Sequence, residues 1–591
     1  MQSLALYSRH VLAAAFVFGS MLMQHEASRA QEPAQGKLKQ VSEYDRPAKM
    51  RHQSRSATVA SHGIVAASVP LAAQVGLDIL KAGGTAADAA IATDAMLGLT
   101  EPMSCGMGGD LFCIYWDNKT QKLYGLNASG RSPYAVNREV FQQKGMKFIP
   151  GEGVLSWSVP GCVDGWDQLH SRFGALKLSQ LLAPAIQSAE EGFPVTDIIA
   201  GFWKSGERMR AGYPEAAATY YPNGRAPRMG ELFHNPSLAH SLRLVAEGGR
   251  DAFYRGPIAR QIVEFSQSHG GYFSLKDFED HTSTWVEPVS TNYRGYDVWE
   301  LPPNGQGISA LEILNILEGY DIRSMGRHSP DYLHLFIEAK KLAYADRAKF
   351  YADPAFNKLP VAQLISKEYA ARQRKRIDLS HAATSVDAGD PLLALGGDTI
   401  YLSVVDKDRN CCSFIQSNFG GFGSRVVPGS AGFVMQNRGS QFSLDPKHFN
   451  TLEPHKRPFH TIIPAMVTKN GKPWLCFGVM GGDMQPQGHV QVLVNMIDFD
   501  LDAQAAGDEG RVRHDGSQTP TGHPMASGGG TVDVESSIPQ ATIDELERRG
   551  HNVVHGFGDG FGGYQGIRIN QELGTLQGAS EPRKDGAAVG Y

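Results

Sequence analysis

A hydroxyl residue stands where a small-residue segment passes into a β-like run, at the junction of Asp398 and Thr399. Cleavage between these residues would leave Thr399 as a new N-terminus with a nucleophilic hydroxyl and a free α-amine. An α-amine has a pKa of about 8, so it can accept the hydroxyl proton near neutral pH. One residue would then supply both nucleophile and base. A loop leading into an ordinary strand fits the same residues, and they alone leave both interpretations open.

Two other turns could serve such a nucleophile. Gly481 and Gly482 lie in a polar turn where two backbone amides can converge on one point, as an oxyanion hole requires, although a plain β-turn fits them equally. Arg131 follows a predicted strand in a Gly-rich turn and could hold a carboxylate through paired hydrogen bonds, or it could be a solvated surface arginine.

A third glycine cluster, Gly106 to Gly109, resembles a phosphate loop only superficially. Phosphate-binding glycines follow a strand and open a helix. Here a predicted helix precedes the glycines and a predicted strand, Leu111 to Trp116, follows them. We therefore exclude nucleotide binding and interpret the cluster as a turn that lets backbone approach another segment.

Hydrophobic spacing predicts the elements in the first two thirds of the chain. Val65 to Leu99 has the pattern of two helices separated at Gly83-Gly84, with Thr85 and Asp88 as the cap of the second. Three further signals are an amphipathic helix from Leu176 to Gly192, a break or start at Pro184, and a helix from Ser329-Pro330 through Phe350. On that last helix we expect Glu338, Lys340, Asp346 and Arg347 to form a solvated or salt-bridged face.

After Thr399 the pattern becomes β. Alternation from Ile400 to Val405, a turn at 407–410 and a returning strand from Cys411 to Gln416 predict a hairpin. Thr399 would then begin a strand at the edge of a sheet, where a nucleophile can face a cleft. The segment 380–398 before it has the composition of a mobile linker.

Composition and the N-terminal sequence limit which partners and which location can be expected. A net charge of −5 over 591 residues gives no electrostatic reason to expect nucleic acid or an anionic membrane as partner. The first 30 residues have a basic start, an apolar stretch and a small-x-small site before Gln31, typical of an export signal, with an uncleaved anchor as the weaker interpretation. We therefore expect a periplasmic or secreted protein without stable membrane insertion, and a flexible tail at 31–57.

The six cysteines, at positions 105, 113, 162, 411, 412 and 476, show no metal-site spacing. Most lie in apolar or Gly-rich runs, where buried thiols are usual. We expect no essential disulfide framework, no metal and no cofactor.

Seven groups of residues recur together in one known family. They are Gly83 to Ala90, Glu101 to Gly109, Val159 to Gly161, Leu182 to Ile186 with Glu191 to Pro194, Glu338-Ala339 with Ala345 to Arg347, Thr399 to Asp406, and Met480 to Gln487. In this order and spacing, the chain resembles the γ-glutamyltranspeptidase (glutathione hydrolase) family of N-terminal-nucleophile hydrolases. Each group is weak alone, but together they cover nearly the whole mature chain.

The resemblance implies an α/β fold of the αββα type, a four-layer sandwich made as one precursor that cuts itself between Asp398 and Thr399. Two subunits, 58–398 and 399–591, would stay intertwined. Thr399 would attack a γ-glutamyl amide such as glutathione and pass the acyl group to water, an amino acid or a peptide. Gly481 and Gly482 match the family's oxyanion hole, and Ser417 matches a threonine that supports the nucleophile.

The acyl-donor pocket departs from the family pattern. Gln441 stands where the family has a carboxylate for the substrate ammonium, and Arg438 stands where it has a glutamine. His460 and Thr461 replace paired serines that hold the α-carboxylate, and Arg131 is displaced by two positions from the family's carboxylate-binding arginine. Loss of a charge-assisted contact of about 1.5–3 kcal/mol is enough to change the preferred acyl group.

Three hypotheses follow for the function. The first is a γ-glutamyltransferase or glutathione hydrolase. The second, in the same fold, is an acylase for a dicarboxylic acyl amide, of the glutaryl or cephalosporin type. The third is a non-catalytic periplasmic binding protein that keeps the fold.

Overall fold

The computed structural model describes residues 53–388, 398–556 and 558–591, and for 398, 399, 558 and 559 it describes only the backbone. The predicted export signal at 1–30, most of the predicted tail at 31–57, and residues 389–397 of the predicted linker lie outside the described residues. Within the described ranges, no helix combines the length and apolar character needed to cross a membrane.

Nineteen strands are present in the part of the chain that the structure describes. They are β1 Thr58–Ala60, β2 Ile64–Ala67, β3 Asp110–Asp117, β4 Lys122–Ala128, β5 Phe193–Pro194, β6 Leu232–Phe233, β7 Thr284–Val286, β8 Val289–Tyr293, β9 Tyr296–Glu300, β10 Asp398–Val405, β11 Cys411–Phe419, β12 Ala465–Lys469, β13 Lys472–Met480, β14 Val512–Asp515, β15 Thr531–Val534, β16 Val553–His555, β17 Gly563–Asn570, β18 Thr575–Ser580 and β19 Ala587–Gly590.

The α-helices of the same ranges concentrate in the first two thirds of the chain. They are Pro70–Lys81, Ala86–Thr100, Arg138–Gln143, Cys162–Phe173, Leu178–Glu191, Asp197–Ser205, Pro214–Tyr220, Pro236–Tyr254, Pro257–Ser268, Leu275–Glu279, Gly307–Leu317, Ile322–Met325, Pro330–Phe350, Val361–Leu364, Lys367–Arg374, Met484–Ile497, Ala503–Asp508 and Gln540–Arg548. Short 3-10 turns lie at Val154–Ser156, Glu207–Ala211, Arg438–Gln441, Ser527–Gly529 and Gly558–Phe561.

Two seven-stranded antiparallel sheets form the centre of the molecule. The first has the order β19-β2-β10-β11-β3-β4-β7 and the second the order β1-β18-β17-β13-β12-β9-β8. One apolar cluster combines buried residues of both sheets, among them Ile415 and Ile567. Two larger clusters join the sheets to the helices on their outer faces. This arrangement confirms the four-layer αββα sandwich.

Close contact between the sheets places β10 against β13. A Cβ added to Gly478 of β13 would lie 2.5 Å from the ring of Tyr401 of β10, so only glycine admits the ring here. The Tyr401 hydroxyl is hydrogen-bonded to Ser403 and Ser413 at 2.8 Å each. This packing sets the start of β10, which contains Thr399, against the strand that leads into Gly481.

Several local predictions are confirmed. Thr85 and Asp88 form a reciprocal capping box at the start of the helix Ala86–Thr100. Ser329 caps the helix Pro330–Phe350, whose proline occupies the first turn. The hairpin of β10 and β11 pairs as predicted. All six cysteines are buried free thiols.

Other local predictions are wrong, each because of tertiary context. Residues 64–67 form strand β2 instead of helix, since they pair with β10 and β19. Pro184 lies inside the helix Leu178–Glu191 without ending it. The polar turn predicted at 480–489 ends within four residues, and Pro486 lies in the first turn of the helix Met484–Ile497, where its missing N–H costs little.

Two errors bear on the site. The first concerns the polar residues of the helix Pro330–Phe350: Glu338, Lys340, Asp346 and Arg347 are all buried, so the solvated alternative is wrong. The salt-bridged alternative holds for Glu338, which pairs with Lys341 at 2.8 Å, and for Arg347, which pairs with Asp483 at 2.7 Å. Strand β10 is interior and not at an edge, because β2 and β11 flank it. Nevertheless, β2 pairs only with Ser403–Val405, so the first half of β10 extends beyond it.

Candidate active site

A register shift distinguishes the start of β10. Asp398 lies opposite Phe419 and Ile400 lies opposite Gln416, so two residues of β11, Ser417 and Asn418, oppose the single residue Thr399. Such bulges bend a strand and redirect side chains, and they are common beside active sites. Phe419 ends the bulge with φ at 76°, a left-handed conformation unusual for a residue with a side chain.

Arg438 lies beside this bulge. Its Nη2 donates to Ser417 Oγ at 3.1 Å and its Nη1 donates to Thr461 Oγ1 at 2.8 Å. The guanidinium carbon lies 4.4 Å from the centre of the Phe419 ring. The side chain is fully buried, and its Nε has no hydrogen-bond partner among the described residues. Burial lowers the pKa of Arg438 to about 9, and the nearby Asp110 carboxylate partly offsets this effect.

Asp110, at the start of β3, lies in the same region and is near both Arg438 and His460. Its Oδ2 lies 2.9 Å from His460 Nε2, and its Oδ1 accepts hydrogen bonds from the backbone N–H groups of Gly130 and Gly161 and from Gln436 Nε2. Burial raises the pKa of Asp110 to about 7, against the attraction of Arg438. Burial and the nearby Arg438 charge lower the pKa of His460 well below its ordinary value. The imidazole is therefore neutral near pH 7.

Gln306 connects the two sequence-predicted groups of site residues. Its Nε2 donates to the Thr461 carbonyl at 2.7 Å and to the Gly482 carbonyl at 2.9 Å. Arg347 Nη1 donates to Gln306 Oε1 at 2.5 Å and to Asp483 Oδ1 at 2.7 Å. Both side chains are fully buried, so this network fixes the Gly482 turn relative to Thr461 and hence to Arg438.

The Gly481-Gly482 turn begins the helix Met484–Ile497. Both glycines have positive φ, 126° and 57°. The Gly481 carbonyl accepts from Met484 N–H at 2.9 Å. In a trans peptide the N–H points opposite to the preceding carbonyl, so the Gly482 N–H is directed away from the helix. A donor that points out of a tight turn next to a helix N-terminus is suited to stabilise a developing oxyanion.

Gln441 closes the short helical turn Arg438–Gln441. It is 6% exposed, and its carbonyl accepts from Asn450 Nδ2 at 2.6 Å. No carboxylate occupies this position, so the turn presents a guanidinium and a neutral amide. The turn is held close to the neighbouring chain, since a Cβ on Gly439 would meet the Ser156 carbonyl oxygen at 2.7 Å.

Arg131 has different neighbours. Its Nη1 donates to the Thr282 carbonyl at 3.2 Å, and Arg457 Nη2 donates to the same oxygen at 3.1 Å. Arg457 also donates from Nε to the Ser129 carbonyl at 3.0 Å. Burial and the charge of Arg131 lower the pKa of Arg457 to about 10. The two arginines thus form a second basic group, without a direct hydrogen bond to Arg438.

Five of the sequence-predicted site residues are therefore linked to one another, and Arg131 is not linked to them. Ser417, Arg438, His460, Thr461 and Gly482 are linked by hydrogen bonds through Asp110 and Gln306 or by close charge contacts. Arg131 joins Arg457 instead. Sequence reasoning missed Asp110, Gln306 and Arg457 as site residues. Asp110 directly follows the glycine cluster, which was a usable signal, but Gln306 lies 176 residues before Gly482 and gave none.

The family profile described as Gamma-glutamyltranspeptidase matches residues 72–591. The chain is 40% identical over 523 residues to a protein named Glutathione hydrolase-like YwrD proenzyme from Bacillus subtilis (strain 168), covering 88% of this chain and 97% of that one. It is 32% identical over 552 residues to the Glutathione hydrolase proenzyme of Escherichia coli (strain K12), covering 90% and 92%.

Among solved structures, the cephalosporin acylase from Bacillus halodurans is similar over almost the entire chain. The superposition has a TM-score of 0.85 at 43% sequence identity and covers 95% of this chain and 99% of that one. Relatives named for glutathione hydrolysis and for acylase activity thus share this fold at comparable identity.

Proposed function

Since the chain belongs to the gamma-glutamyltranspeptidase family of N-terminal-nucleophile proenzymes, we propose that it hydrolyses amides whose acyl group carries a carboxylate and lacks a neighbouring ammonium. Its relatives are hydrolases and acylases made as proenzymes, so hydrolysis or transfer of an acyl amide is the broad class. The finer part of the proposal is the preferred acyl donor. We propose a dicarboxylic acyl group such as glutaryl, as in the second hypothesis given above.

The proposed maturation uses Thr399. Its Oγ attacks the Asp398 carbonyl carbon, the peptide nitrogen leaves as the new α-amine, and the resulting ester is hydrolysed by water to give the Asp398 carboxylate. After loss of residues 1–30, the large subunit consists of the tail at 31–57 together with 58–398. The small subunit is 399–591. The order of these steps follows the self-cleavage that the family resemblance implies.

In the proposed turnover, the Thr399 α-amine takes the hydroxyl proton as Oγ attacks the substrate amide carbon. The Gly481 and Gly482 amides stabilise the oxyanion, and the protonated amine gives its proton to the leaving amine. Water, or an amine acceptor, then attacks the acyl-enzyme ester and regenerates Thr399. Ser417 supports the nucleophile from the opposing bulge.

The observation that supports the donor preference is Arg438. It places a buried guanidinium beside Ser417, at the position where the family resemblance implies a neutral contact to a substrate ammonium. Two like charges 5 Å apart repel by about 3 kcal/mol at an effective dielectric constant near 20. A substrate carboxylate near Arg438 would be attracted, whereas a substrate ammonium would be repelled. Gln441 is neutral, so it offers the ammonium no opposite charge.

A γ-glutamyl donor is the second candidate. The family profile and the relative in Escherichia coli favour it by name. Its α-carboxylate could bind Arg438 or the basic pair of Arg131 and Arg457. The names of the relatives give no support to the third hypothesis, a non-catalytic binding protein.

A direct test compares glutaryl and γ-glutamyl p-nitroanilides with the purified full-length protein. We expect kcat/KM for the glutaryl compound to exceed that for the γ-glutamyl compound by about tenfold to a hundredfold, the range that 1.5–3 kcal/mol allows. A preference for the γ-glutamyl compound would replace the first candidate with the second. Failure to turn over either anilide would reject both.

Mass spectrometry of the same preparation tests maturation. A small subunit that begins at Thr399, and a large subunit that begins near Gln31 after expression with export, are the expected products. Thr399→Ala should remain uncut and inactive. A cut, active Thr399→Ala protein would show that another residue is the nucleophile.

A further inference from the structure

Three metal-ligating side chains meet outside the active site. His334 and Glu338 lie one turn apart on the helix Pro330–Phe350, and His551 follows the helix Gln540–Arg548. Each can offer one ligand atom such that all three atoms lie within 4.8 Å of one another, and all three residues are buried. From this geometry we infer a binding site for a divalent transition metal, of which Zn²⁺ is the best match.

The two imidazoles face each other in a suitable way. His334 Nδ1 lies 2.8 Å from His551 Nε2, while His334 Nε2 lies 2.8 Å from the Asp378 carbonyl oxygen. A carbonyl only accepts, so His334 Nε2 carries the proton and Nδ1 presents a lone pair. Metal-binding histidines commonly donate their second N–H to a carbonyl in this manner. Two nitrogens on one zinc ion need only a few tenths of an ångström more separation.

Glu338 completes the group of three. Lys341 Nζ donates to its Oε1 at 2.8 Å, and the Ala383 N–H lies 3.2 Å from its Oε2. Lys341 also donates to the Ala383 carbonyl at 2.8 Å, so its ammonium group is hydrogen-bonded to both Glu338 and the backbone of the segment before the proposed cleavage point. With Glu338 and Lys341 both charged, the ligand group has the same net charge as three neutral histidines, a set that holds zinc in carbonic anhydrase.

The donor types narrow the choice of metal. Imidazole ligands favour zinc, copper, nickel and iron, whereas calcium and magnesium require oxygen ligands. Two histidines with one carboxylate leave a fourth position for water in a tetrahedral site. The linear sequence gave no zinc signal, because His551 lies 217 residues after His334.

The three ligand residues come from both sides of the proposed cleavage point. Under the cleavage proposed above, His334 and Glu338 belong to the large subunit and His551 to the small one, so one ion would tie the two chains together. The same residues hold Asp378 and Ala383, which precede the proposed cleavage point. The inferred site is therefore a metal clamp between the subunits; the metal binding itself does not depend on the proposed activity.

The test is calorimetric titration of tag-free, chelator-treated protein with ZnCl₂. We expect one Zn²⁺ per chain, and a loss of affinity of about a hundredfold or more in His551→Gln and in Glu338→Gln. His555→Gln is the matched control, because His555 is an exposed histidine four residues away on β16. Co²⁺ should give the visible absorption of a tetrahedral complex in the wild type and in His555→Gln only.

Thermal unfolding gives an independent readout. Zn²⁺ should raise the unfolding midpoint of the wild type and of His555→Gln, since a ligand that binds only the folded state stabilises it. His551→Gln should retain the metal-free midpoint within a few degrees and show no such rise. Absence of one-to-one binding in the wild type, or binding unchanged in both ligand variants, would overturn the inference and leave a simple hydrogen bond between two histidines.

Discussion

The turn of Gly481 and Gly482 and the group of residues around Arg438 are linked through Gln306 and Thr461, yet they differ in kind. Around the turn, Gln306, Arg347 and Asp483 are joined to one another by hydrogen bonds, although the Arg347 Nε has no partner among the described residues. Around Arg438, a guanidinium keeps an unpaired buried Nε and a neutral histidine faces a carboxyl group of raised pKa. The Arg347 guanidinium is hydrogen-bonded to a carboxylate, whereas the Arg438 guanidinium is hydrogen-bonded to two hydroxyl groups, so the charge of Arg438 is the less compensated of the two.

The difference teaches where specificity can change without loss of the reaction. Turn geometry is set by backbone and by the hydrogen-bonded side chains of Gln306, Arg347 and Asp483, so we expect substitution there to disturb catalysis for every substrate. The Arg438 pocket is set by side-chain charge, so substitution there can exchange one acyl group for another. Thr461 links the two regions, because its hydroxyl contacts Arg438 and its carbonyl contacts Gln306.

The largest effect should come from Gln306→Leu. Loss of the three hydrogen bonds of its side chain frees the Gly482 turn to shift, and kcat should fall about a hundredfold on glutaryl and γ-glutamyl substrates alike, with KM changed little. Gln565→Leu is the matched control, since the Gln565 side chain is equally buried but its amide has no hydrogen-bond partner among the described residues. An effect confined to one of the two substrates would break the division between support and specificity.

Next comes the double substitution Arg438→Gln with Gln441→Asp. It removes the buried cation and adds a countercharge, so the ratio of γ-glutamyl to glutaryl kcat/KM should rise about tenfold to a hundredfold. Each single variant should give part of this rise. Steady-state kinetics on both anilides measures it, and an unchanged ratio would mean that the acyl group binds elsewhere.

Asp110→Asn should alter stability with pH more than it alters kcat. The pKa of Asp110 is about 7 in the folded protein and about 4 in an unfolded chain. A raised folded pKa gives stability that is full below about pH 4 and is lost as the pH rises through about 7. The wild type should therefore lose a few kcal/mol relative to the variant between these values, measured by chemical unfolding. Parallel curves would contradict a proton on Asp110.

The smallest effect should come from Arg131→Ala. Among the described residues, the side chain of this half-buried arginine makes one hydrogen bond, 3.2 Å long, to an oxygen that also accepts from Arg457. We expect less than about a threefold change in kcat/KM, in line with the small energy of such a contact. A tenfold rise in KM for a glutaryl substrate would instead extend the anion pocket from Arg438 to the second basic group.

Local sequence signals predicted the local structure well. Thr85, Asp88 and Ser329 act as caps because hydroxyl and carboxylate groups satisfy the free N–H groups of a helix start wherever they occur. The motif set predicted the layered fold. The predictions that failed concern long-range contacts: the polar face of the helix Pro330–Phe350 is buried, and Gln306, Asp483 and His514 supply its partners from distant segments.

The site was predictable only in part for the same reason. Types and order of residues indicated Thr399, Ser417 and the two glycines, whose roles stay predictions. Neither spacing nor periodicity could show that Arg438 contacts Ser417 and Thr461 together, nor that Arg131 turns to Thr282. Those contacts depend on how three segments converge, which one sequence does not reveal.

The strand order of the sheets bears on how such a protein can be made. In the first sheet, β2 lies between β19 and β10, and the proposed small subunit contributes both of its neighbours while the large one contributes β2 itself. Two polypeptides whose strands alternate in one sheet would stay associated after cleavage, and they would not readily form this strand order if they were synthesised separately. The sheet would therefore form in the uncut precursor, and cleavage would follow once folding is complete.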